Sequence, residues 1–428
     1  MSALLGLRCL RCGADFDASP VFTGCPRCAT DGQVANLTPT YDYAAIRAAT
    51  SPEAWAGRPR GVWRYAEVLP VEPAWAVSLG EGGTPLVHLP RLGVELGLER
   101  LYVKDEGRNP TLSFKDRMAS LVVSHARQVG ARTVAIASSG NAGAALAAYA
   151  ARAGLECVVL TSANAPAAML AQMQAVGATL IAPPTSPERW TLLRAGVERL
   201  GWYAASNFLP RPVGSNPFGV DAYKSIAFEI WEDLGHQVPE AVVFPVCYGD
   251  GLWGAAKGFQ ELQQLGWSDR APRMGAAEVF GCLATALETG AEDVSPVPTE
   301  TSIAISIAAG LSTYQGLTAL RQGRGFAGRV TDDETLAMQH RLADAEGVFA
   351  EASSVLGLVL AGRARQDGTL RADDRVVVVL TASGLKDPGP AARYFAPVRT
   401  VPQGSFEALE AVLDAARADT SRVTQGAA

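Results

Sequence analysis

The chain has 428 residues, of which 48% are hydrophobic and 19% are charged, and its net charge is -6. This size and composition predict two or three domains built on a large core. The acidic balance provides no basic surface for nucleic acid or an anionic membrane. No apolar run is long enough to span a bilayer, and the apolar start of the chain is too short for a signal peptide. We therefore expect a cytoplasmic protein with no membrane or nucleic-acid partner.

Two cysteine pairs open the chain. Cys9 and Cys12 form one Cys-x-x-Cys pair, and Cys25 and Cys28 form a second. Four thiolates at this spacing can surround a zinc ion tetrahedrally. Two disulfides or two redox pairs are the alternatives, but a cytoplasmic setting argues against disulfides, and no βαβ pattern surrounds either pair. The spacing favours a structural zinc ribbon over residues 1–35, whose four ligands leave no open position for catalysis.

A lysine at the start of a helix follows the predicted strand 101–104. Pro110 ends the extended segment, and Thr111 or Ser113 can cap a helix over 113–128. Lys115 then lies in the first helical turn, where the positive end of the macrodipole disfavours its charge. An amine kept partly neutral is a nucleophile that forms imines. A solvated lysine beside charged neighbours is the alternative interpretation.

Strands and helices alternate along the rest of the chain. The predicted strands are 133–137, 155–160, 178–182, 241–246 and 375–380. The predicted helices are 144–153, 166–176, 187–200, 221–234 and 252–265. Alternation with short connections implies the α/β class, with parallel sheets covered by helices. A terminal helix over 406–417 and a frayed tail over 420–428 complete the chain.

Two turns that follow predicted strands are rich in glycine and small polar residues. Their sequences are Ser138-Ser139-Gly140-Asn141 and Tyr248-Gly249-Asp250-Gly251-Leu252. In parallel α/β domains such turns line the crevice at the carboxyl ends of the strands. The second turn can aim backbone amides at an anion, helped by a helix N-terminus, although it is neither a Walker loop nor a dinucleotide turn. Considered alone, it is equally well explained as a tight helix entry.

Taken together, these pieces match the needs of one cofactor. Lys115 would hold an aldehyde as an imine, and the glycine turn at 248–252 would hold a phosphate. Asn141 could bond a phenolic oxygen, and Thr381, at the end of strand 375–380, could face a pyridine nitrogen. Pyridoxal 5'-phosphate carries this set of groups, and its ring acts as an electron sink.

The sequence resembles the threonine synthase family of fold type II pyridoxal-phosphate enzymes. The matching motifs are Glu81-Gly82-Gly83-Thr84-Pro85-Leu86, Asn109-Pro110-Thr111-Leu112-Ser113-Phe114-Lys115-Asp116-Arg117, Ser138-Ser139-Gly140-Asn141 and Thr381-Ala382-Ser383-Gly384-Leu385-Lys386-Asp387. The likeness spans roughly residues 9–390, and a zinc-ribbon-like start also occurs in some members of the family.

The resemblance implies a role for each matching residue. Lys115 would be the Schiff-base lysine and proton shuttle, Phe114 would pack beside the cofactor ring, and Asn141 would bond the cofactor 3-oxygen. The backbone amides that would hold the cofactor phosphate belong to Gly249, Asp250, Gly251 and Leu252. Thr381 would face the pyridine nitrogen. The candidates for gripping the substrate are Thr84, Ser138 and Ser139.

The resemblance also implies an activity: a lyase that converts O-phospho-L-homoserine and water to L-threonine and phosphate. The chain departs from the family pattern at Leu112, where glycine is usual, and at Tyr248 in the phosphate loop. Gly219 stands where well-known members have an arginine that helps to hold the substrate phosphate. These departures leave open β-replacement on an O-phosphoserine-like substrate, as in cysteate synthases, or dehydration of threonine or serine. A non-catalytic scaffold that uses the ribbon for docking is a further alternative, which the intact Lys115 disfavours.

The domain organisation expected from the resemblance is a cleft between two α/β domains. The small domain would cover 116–214, and the large domain would comprise 36–115 and 215–400. A C-terminal helix and tail would follow over 401–428. Enzymes of this kind also lead us to expect a homodimer that acts on a small amino-acid substrate.

Overall fold

The computed structural model of the protein describes residues 3–395, 398–401 and 404–425. The chain up to Pro390 forms one compact unit, and the residues from Ala391 onward form a second. The described part of the second unit holds a 3-10 turn at Ala391–Tyr394 and a long helix at Phe406–Gln425. No helix among the described residues combines the length and the apolar character needed to cross a membrane.

Strands and helices are numbered here in chain order. The strands are β1 (Leu4–Cys9), β2 (Asp15–Phe16), β3 (Leu37–Tyr41), β4 (Leu86–His88), β5 (Arg100–Asp105), β6 (Thr133–Ala137), β7 (Glu156–Leu160), β8 (Thr179–Ile181), β9 (Tyr203–Ala204), β10 (Ala241–Pro245), β11 (Arg273–Glu278), β12 (Phe326–Arg329) and β13 (Arg375–Leu380). The helices are α1 (Pro26–Thr30), α2 (Tyr43–Ala49), α3 (Pro52–Ala56), α4 (Pro90–Leu96), α5 (Lys115–Gln128), α6 (Asn141–Ala153), α7 (Ala167–Ala175), α8 (Ser186–Leu200), α9 (Pro217–Val220), α10 (Lys224–Asp233), α11 (Asp250–Gln264), α12 (Cys282–Glu288), α13 (Tyr314–Gln322), α14 (Asp332–Glu346), α15 (Ala352–Gln366) and α16 (Phe406–Gln425).

The largest sheet has six strands in the order β12-β11-β10-β13-β5-β4. Its pairs are parallel except for β4, which runs antiparallel to β5 at the edge. β13 lies in the middle, and its residues from Val376 to Leu380 are fully buried. A parallel strand covered on both faces reads as a continuous apolar run, which explains the sequence Val-Val-Val-Val-Leu.

A second parallel sheet has four strands in the order β8-β7-β6-β9. Its central strand β6 is apolar, and Val134 and Ile136 are fully buried. A third, antiparallel sheet at the start of the chain has the order β2-β1-β3. The predicted α/β class with two parallel sheets is therefore confirmed, and the boundaries of β6 and β13 are those predicted.

The helix that carries Lys115 begins two residues later than predicted. Of the two predicted caps, Ser113 accepts a hydrogen bond at Oγ from the backbone N–H of Lys115 over 3.3 Å, and Thr111 does not serve as a cap. Ser113 forms an isolated bridge with Ala382, and the backbone N–H of Phe114 donates to the carbonyl of Thr381 over 2.8 Å. These residues are tied to the end of β13, so the helix starts only at Lys115, and the residue before it, Phe114, provides no side-chain cap. The Thr111 hydroxyl instead donates to Asp116 over 2.7 Å.

The predicted terminal helix is also longer than expected. The helical residues extend from Phe406 to Gln425, so the frayed tail predicted from residue 420 is wrong as far as 425. Residues 426–428 lie outside the described part of the chain.

A buried ion network fixes the start of α5 against α10. Arg117 is fully buried and bonds Glu106 through Nε and Nη2 and Glu229 through Nη1 and Nη2, at 2.7–2.8 Å. Lys104 adds a second cation 2.9 Å from Glu229. Although burial raises it, these two cations hold the pKa of Glu229 below its usual range. The Arg117 of the Lys-Asp-Arg motif is therefore a structural cation beneath the site.

Candidate active site

A cleft of about 510 Å³ lies at the carboxyl ends of β6, β10 and β13. This volume lies within the range of small-molecule sites. The predicted site residues that line it are Phe114, Lys115, Ser138, Ser139, Asn141, Gly249, Asp250, Gly251, Leu252 and Thr381. These residues come from four separate parts of the chain, and the parallel sheets bring them together at their carboxyl edges.

Lys115 projects into this cleft from the first residue of α5. Its ammonium lies 4.4 Å from the centroid of the Phe114 ring and 5.5 Å from that of Tyr223. Among the described residues, no hydrogen bond or ion pair engages Lys115 Nζ. Burial lowers the pKa of Lys115, although the negative charge of Asp250 opposes the shift. The amine is thus less strongly held in its charged form than an exposed lysine.

The loop from Tyr248 to Leu252 forms a cradle of backbone amides. Gly249 has a φ of 79°, and a Cβ atom on it would lie 2.7 Å from Gly316 Cα. A Cβ atom on Gly251 would lie 2.7 Å from the Phe114 ring. The first amides of α11 lack helical acceptors and open on the cleft, so they suit a phosphate.

The side chain of Asp250 takes no part in the amide cradle. Its carboxylate accepts hydrogen bonds from the backbone N–H and hydroxyl of Ser215, at 3.1 and 2.6 Å, and from the amide of Gln315. These contacts hold the start of α11 in place. The backbone amide of Asp250 is therefore placed as predicted for binding a phosphate, while its carboxylate anchors the loop.

Asn141 is the first residue of α6, directly beyond the end of β6. Its Nδ2 donates to Glu351 Oε2 over 2.7 Å, and its buried Oδ1 finds no hydrogen-bond partner among the residues that the structure describes. Glu351, which sequence reasoning missed, also accepts from the hydroxyl of Ser306. Burial raises the pKa of Glu351. The unpaired Asn141 Oδ1 and the second hydrogen on its Nδ2 are the polar groups that a bound molecule would satisfy here.

Thr381 closes the cleft at the end of β13. Its hydroxyl lies 3.0 Å from that of Ser354, which in turn accepts from the backbone N–H of Ala382 over 2.9 Å. A neutral hydroxyl, rather than a carboxylate, is therefore what this wall of the cleft offers.

Two of the three predicted substrate residues, Ser138 and Ser139, line the cleft, and Thr84 does not. Ser138 Oγ accepts from the backbone N–H groups of Gly140 and Gly143, which leaves its own proton for a ligand. Ser139 Oγ accepts from Arg189 over 2.6 Å. Thr84 is absent from the described lining of the cleft, because its buried hydroxyl donates to Glu106 over 2.6 Å within the ion network. The substrate role expected for Thr84 therefore stays a prediction, and the structure places its hydroxyl in the ion network instead of on the cleft wall.

Gly219 also lies away from the cleft lining. It is part of α9 and packs against α5, where a Cβ atom on Gly219 would lie 2.4 Å from Val122 Cγ2 and 2.9 Å from Met118 Cγ. Even an alanine would clash here. An arginine at this position would need a different packing of α5 and α9.

The four cysteines of the ribbon converge on one point. Their sulfur atoms all lie within 4.8 Å of one another, and the closest pairs are Cys9–Cys28 at 3.6 Å and Cys12–Cys25 at 3.8 Å. Four sulfurs at about 2.3 Å from a tetrahedral ion are about 3.8 Å apart. The close pairs join the two Cys-x-x-Cys segments, which matches one shared metal site rather than two local redox pairs.

The ribbon is joined to the phosphate loop by buried hydrogen bonds. Asn36 is fixed from the ribbon side, where its carbonyl accepts from the backbone N–H of Leu10 over 3.2 Å. Asn36 Nδ2 then donates to the Ser215 carbonyl and to Gln315 Oε1, at 3.1 and 3.0 Å. Ser215 and Gln315 both bond Asp250, the first residue of α11. A shift of the ribbon would therefore disturb the first turn of α11.

Comparisons with known proteins identify the family of this chain. A profile of the family "Pyridoxal-phosphate dependent enzyme" matches residues 77–382. The chain is 36% identical over 392 residues to the threonine synthase of Methanocaldococcus jannaschii, covering 90% of this chain and 94% of that one. It is 35% identical over 388 residues to the threonine synthase of Methanosarcina acetivorans, covering 89% and 92%.

Solved structures share the fold at lower identity. Maize serine racemase superposes with a TM-score of 0.61 at 19% identity, covering 70% of this chain and 88% of that one. A threonine deaminase from Solanum lycopersicum superposes with a TM-score of 0.62 at 19% identity, covering 76% and 86%. The sequence relatives and the family profile together settle the family: the chain belongs to the threonine synthase family of pyridoxal-phosphate-dependent enzymes.

Proposed function

We propose that this protein is a threonine synthase, which converts O-phospho-L-homoserine and water to L-threonine and phosphate. The observation that carries the proposal is the 36% identity to a threonine synthase across 90% of this chain. The cleft supports it, because the lysine, the amide cradle, the asparagine and the hydroxyl expected for such an enzyme all line one cavity.

Pyridoxal phosphate fits the groups that the cleft presents. Lys115 would hold its aldehyde, and Phe114 would pack against its ring. The amides of Gly249, Asp250, Gly251 and Leu252 would hold its phosphate. Asn141, whose amide is only partly satisfied by Glu351, would bond its 3-oxygen, and Thr381 would face its ring nitrogen. When bound, the cofactor supplies an electron sink for the pair of electrons left when a proton leaves the substrate.

Lys115 Nζ is assigned as the group that moves protons on the substrate. In the net reaction, a Cγ–O bond is replaced by a Cγ–H bond and a Cβ–H bond by a Cβ–O bond, while phosphate departs. Protons must therefore leave and return at neighbouring carbons. A single amine whose burial lowers its pKa can serve as both base and acid in turn.

The other residues of the cleft would orient the cofactor and bind the substrate. Thr381, a hydroxyl backed by Ser354, cannot keep a pyridine nitrogen protonated as a carboxylate would. With Thr381 at that position the cofactor would be a weaker sink, which would suit elimination and replacement better than chemistry that needs a long-lived carbanion. Ser138 and Ser139 are assigned to the polar groups of the substrate.

We further propose that the four cysteines bind a structural Zn²⁺, which the sulfur spacing supports. The proposed domain division is that expected from the resemblance, with a small domain over 116–214. A homodimer, which rests on the resemblance alone, and a cytoplasmic location, which rests on the sequence, complete the proposal.

The test is release of inorganic phosphate coupled to formation of threonine from O-phospho-L-homoserine. The wild-type protein should form the two products in equal amounts and show visible absorbance from bound cofactor. Lys115→Ala should abolish both the turnover and the absorbance of the lysine-linked cofactor. Persistent activity in Lys115→Ala would overturn the role of this lysine. A keto acid formed from threonine or serine, without phosphate-coupled threonine formation, would replace the proposal with a dehydratase.

A further inference from the structure

The proposed substrate carries a phosphate dianion that needs a cation in the cleft. Among the described residues that line the cleft, Lys115 and Arg189 are the cations. Lys115 is committed to the cofactor and to proton movement in the proposed function. The position where the family has an arginine, Gly219, is packed against α5 and leaves no room for a side chain. The cation must therefore come from elsewhere in the fold.

Arg189 meets this need by its position. It lies in the first turns of α8 and is half-buried at the cleft wall. Its Nη1 donates to Ser139 Oγ over 2.6 Å, and its Nε donates to the Ser186 carbonyl over 3.2 Å. These two bonds aim the guanidinium across the turn that precedes α6.

The charge of Arg189 is not neutralised by the protein. No carboxylate in the described part of the chain forms an ion pair with it, and its Nη2 makes no hydrogen bond there. Burial lowers the pKa of Arg189, with Tyr248 opposing the shift, yet a guanidinium remains charged near neutral pH. A half-buried, unpaired arginine in a cleft is suited to a phosphate, which it can bind through two parallel N–H groups.

We propose that Arg189, together with the hydroxyl of Ser139, binds the phosphate group of the substrate, in place of an arginine at position 219. This inference rests on the proposed function and specifies which part of the site selects a phosphorylated substrate. It also explains how the departure at Gly219 is compatible with that substrate. Arg189 is a substrate-binding residue here and has no part in holding the cofactor.

The test compares Arg189→Met and Arg189→Lys with Arg194→Met as the matched control. Arg194 lies on the same helix, but its side chain is 58% exposed and pairs with Glu198. Arg189→Met should lower kcat/KM for O-phospho-L-homoserine by about 10- to 100-fold, mainly through KM, because a charge-assisted contact is lost. Arg189→Lys should recover part of the loss, and Arg194→Met should behave as wild type.

Two binding measurements separate phosphate recognition from other effects. The cofactor content and visible spectrum of Arg189→Met should equal those of wild type. L-homoserine, which lacks the phosphate, should bind equally to both proteins, while O-phospho-L-homoserine should bind more weakly to the variant. Equal weakening of both ligands, or of neither, would overturn the inference.

The same measurements distinguish this inference from the proposed function. If wild type binds O-phospho-L-homoserine through Arg189 but forms no threonine, the proposed function fails and the phosphate site stands. If wild type forms threonine and Arg189→Met does so with unchanged KM, the proposed function stands and the assignment of Arg189 fails.

Discussion

Replacing Arg117 by methionine should reveal how much the ion network beneath the site contributes to stability. The substitution keeps an apolar chain of similar length but removes four hydrogen bonds of 2.7–2.8 Å to Glu106 and Glu229. Glu229 keeps a cation, because Lys104 Nζ lies 2.9 Å away. Glu106 keeps hydrogen bonds from Thr84 and Asn109, at 2.6 and 2.9 Å, but loses the guanidinium that it faces.

The expected loss follows from this asymmetry. Breaking a buried pair by removing one partner costs about 3–5 kcal/mol, because an uncompensated charge remains. Since Lys104 still serves Glu229, the penalty falls chiefly on Glu106, and we expect the lower part of that range, about 3 kcal/mol. The double variant Arg117→Met/Glu106→Gln leaves no such charge and should recover part of the loss.

The assay is denaturant unfolding of the cofactor-free protein, with the free energy of unfolding taken from the midpoint and slope. Using the cofactor-free form removes the contribution of ligand binding. Arg194→Met, which breaks an exposed pair, should leave the midpoint unchanged. A loss below about 1 kcal/mol in Arg117→Met, or a double variant no more stable than the single one, would refute the reasoning.

Two further predictions concern the ribbon and the turn before α5. Removing metal with a chelator, or by Cys25→Ser, should weaken the affinity for pyridoxal phosphate by about tenfold, because one or two buried hydrogen bonds that reach Asp250 through Asn36 are disturbed. Titration of the cofactor absorbance measures this, Asn36→Ala should reproduce it with the metal retained, and unchanged affinity in the metal-free protein would contradict it. Leu112 has a φ of 66°, a conformation that costs an L-residue about 1 kcal/mol. Leu112→Val should therefore lower the free energy of unfolding by at least about 1 kcal/mol, while Leu112→Gly should stay within about 0.5 kcal/mol of wild type, since relief of strain offsets the entropy of glycine. Equal stability of the two variants in denaturant unfolding would disprove the account.

The parts of the fold that the sequence predicted well are those with strong local signals. β6 and β13 are apolar runs bounded by polar residues, and both were located to the residue. No strand or helix was predicted for residues 266–374. There, β11 and β12 read Arg-Met-Gly-Ala-Ala-Glu and Phe-Ala-Gly-Arg, with few of the branched residues that favour strands. Their extended form comes from pairing with β10 and with each other, which no local pattern reports.

The site residues that stand in sequence motifs could be predicted, and those that reach the site only through tertiary packing could not. Lys115, Asn141 and Thr381 stand in recognisable motifs and line the cleft as expected. Arg189 and Glu351 lie far along the chain from Ser139 and Asn141, in segments with ordinary charge patterns. The contact of Thr84 with Glu106 was also hidden, because the two residues become neighbours only when β4 and β5 pair. These hydrogen bonds join residues that are distant in the sequence, so no local pattern could reveal them.

The bridge between the start of α5 and the end of β13 has a consequence for the order of folding. Ser113 pairs with Ala382, and Ser383 donates its backbone N–H to the Leu112 carbonyl over 3.0 Å. The residues so joined are separated by most of the chain, so closing the bridge costs loop entropy that local contacts do not repay. The same loop is closed by the pairing of β13 with β5, so Lys115 and Thr381 come together only when that pairing forms. No fragment released before β13 is synthesised can contain a complete site, and a ligand that contacts both sides of the bridge stabilises this pairing.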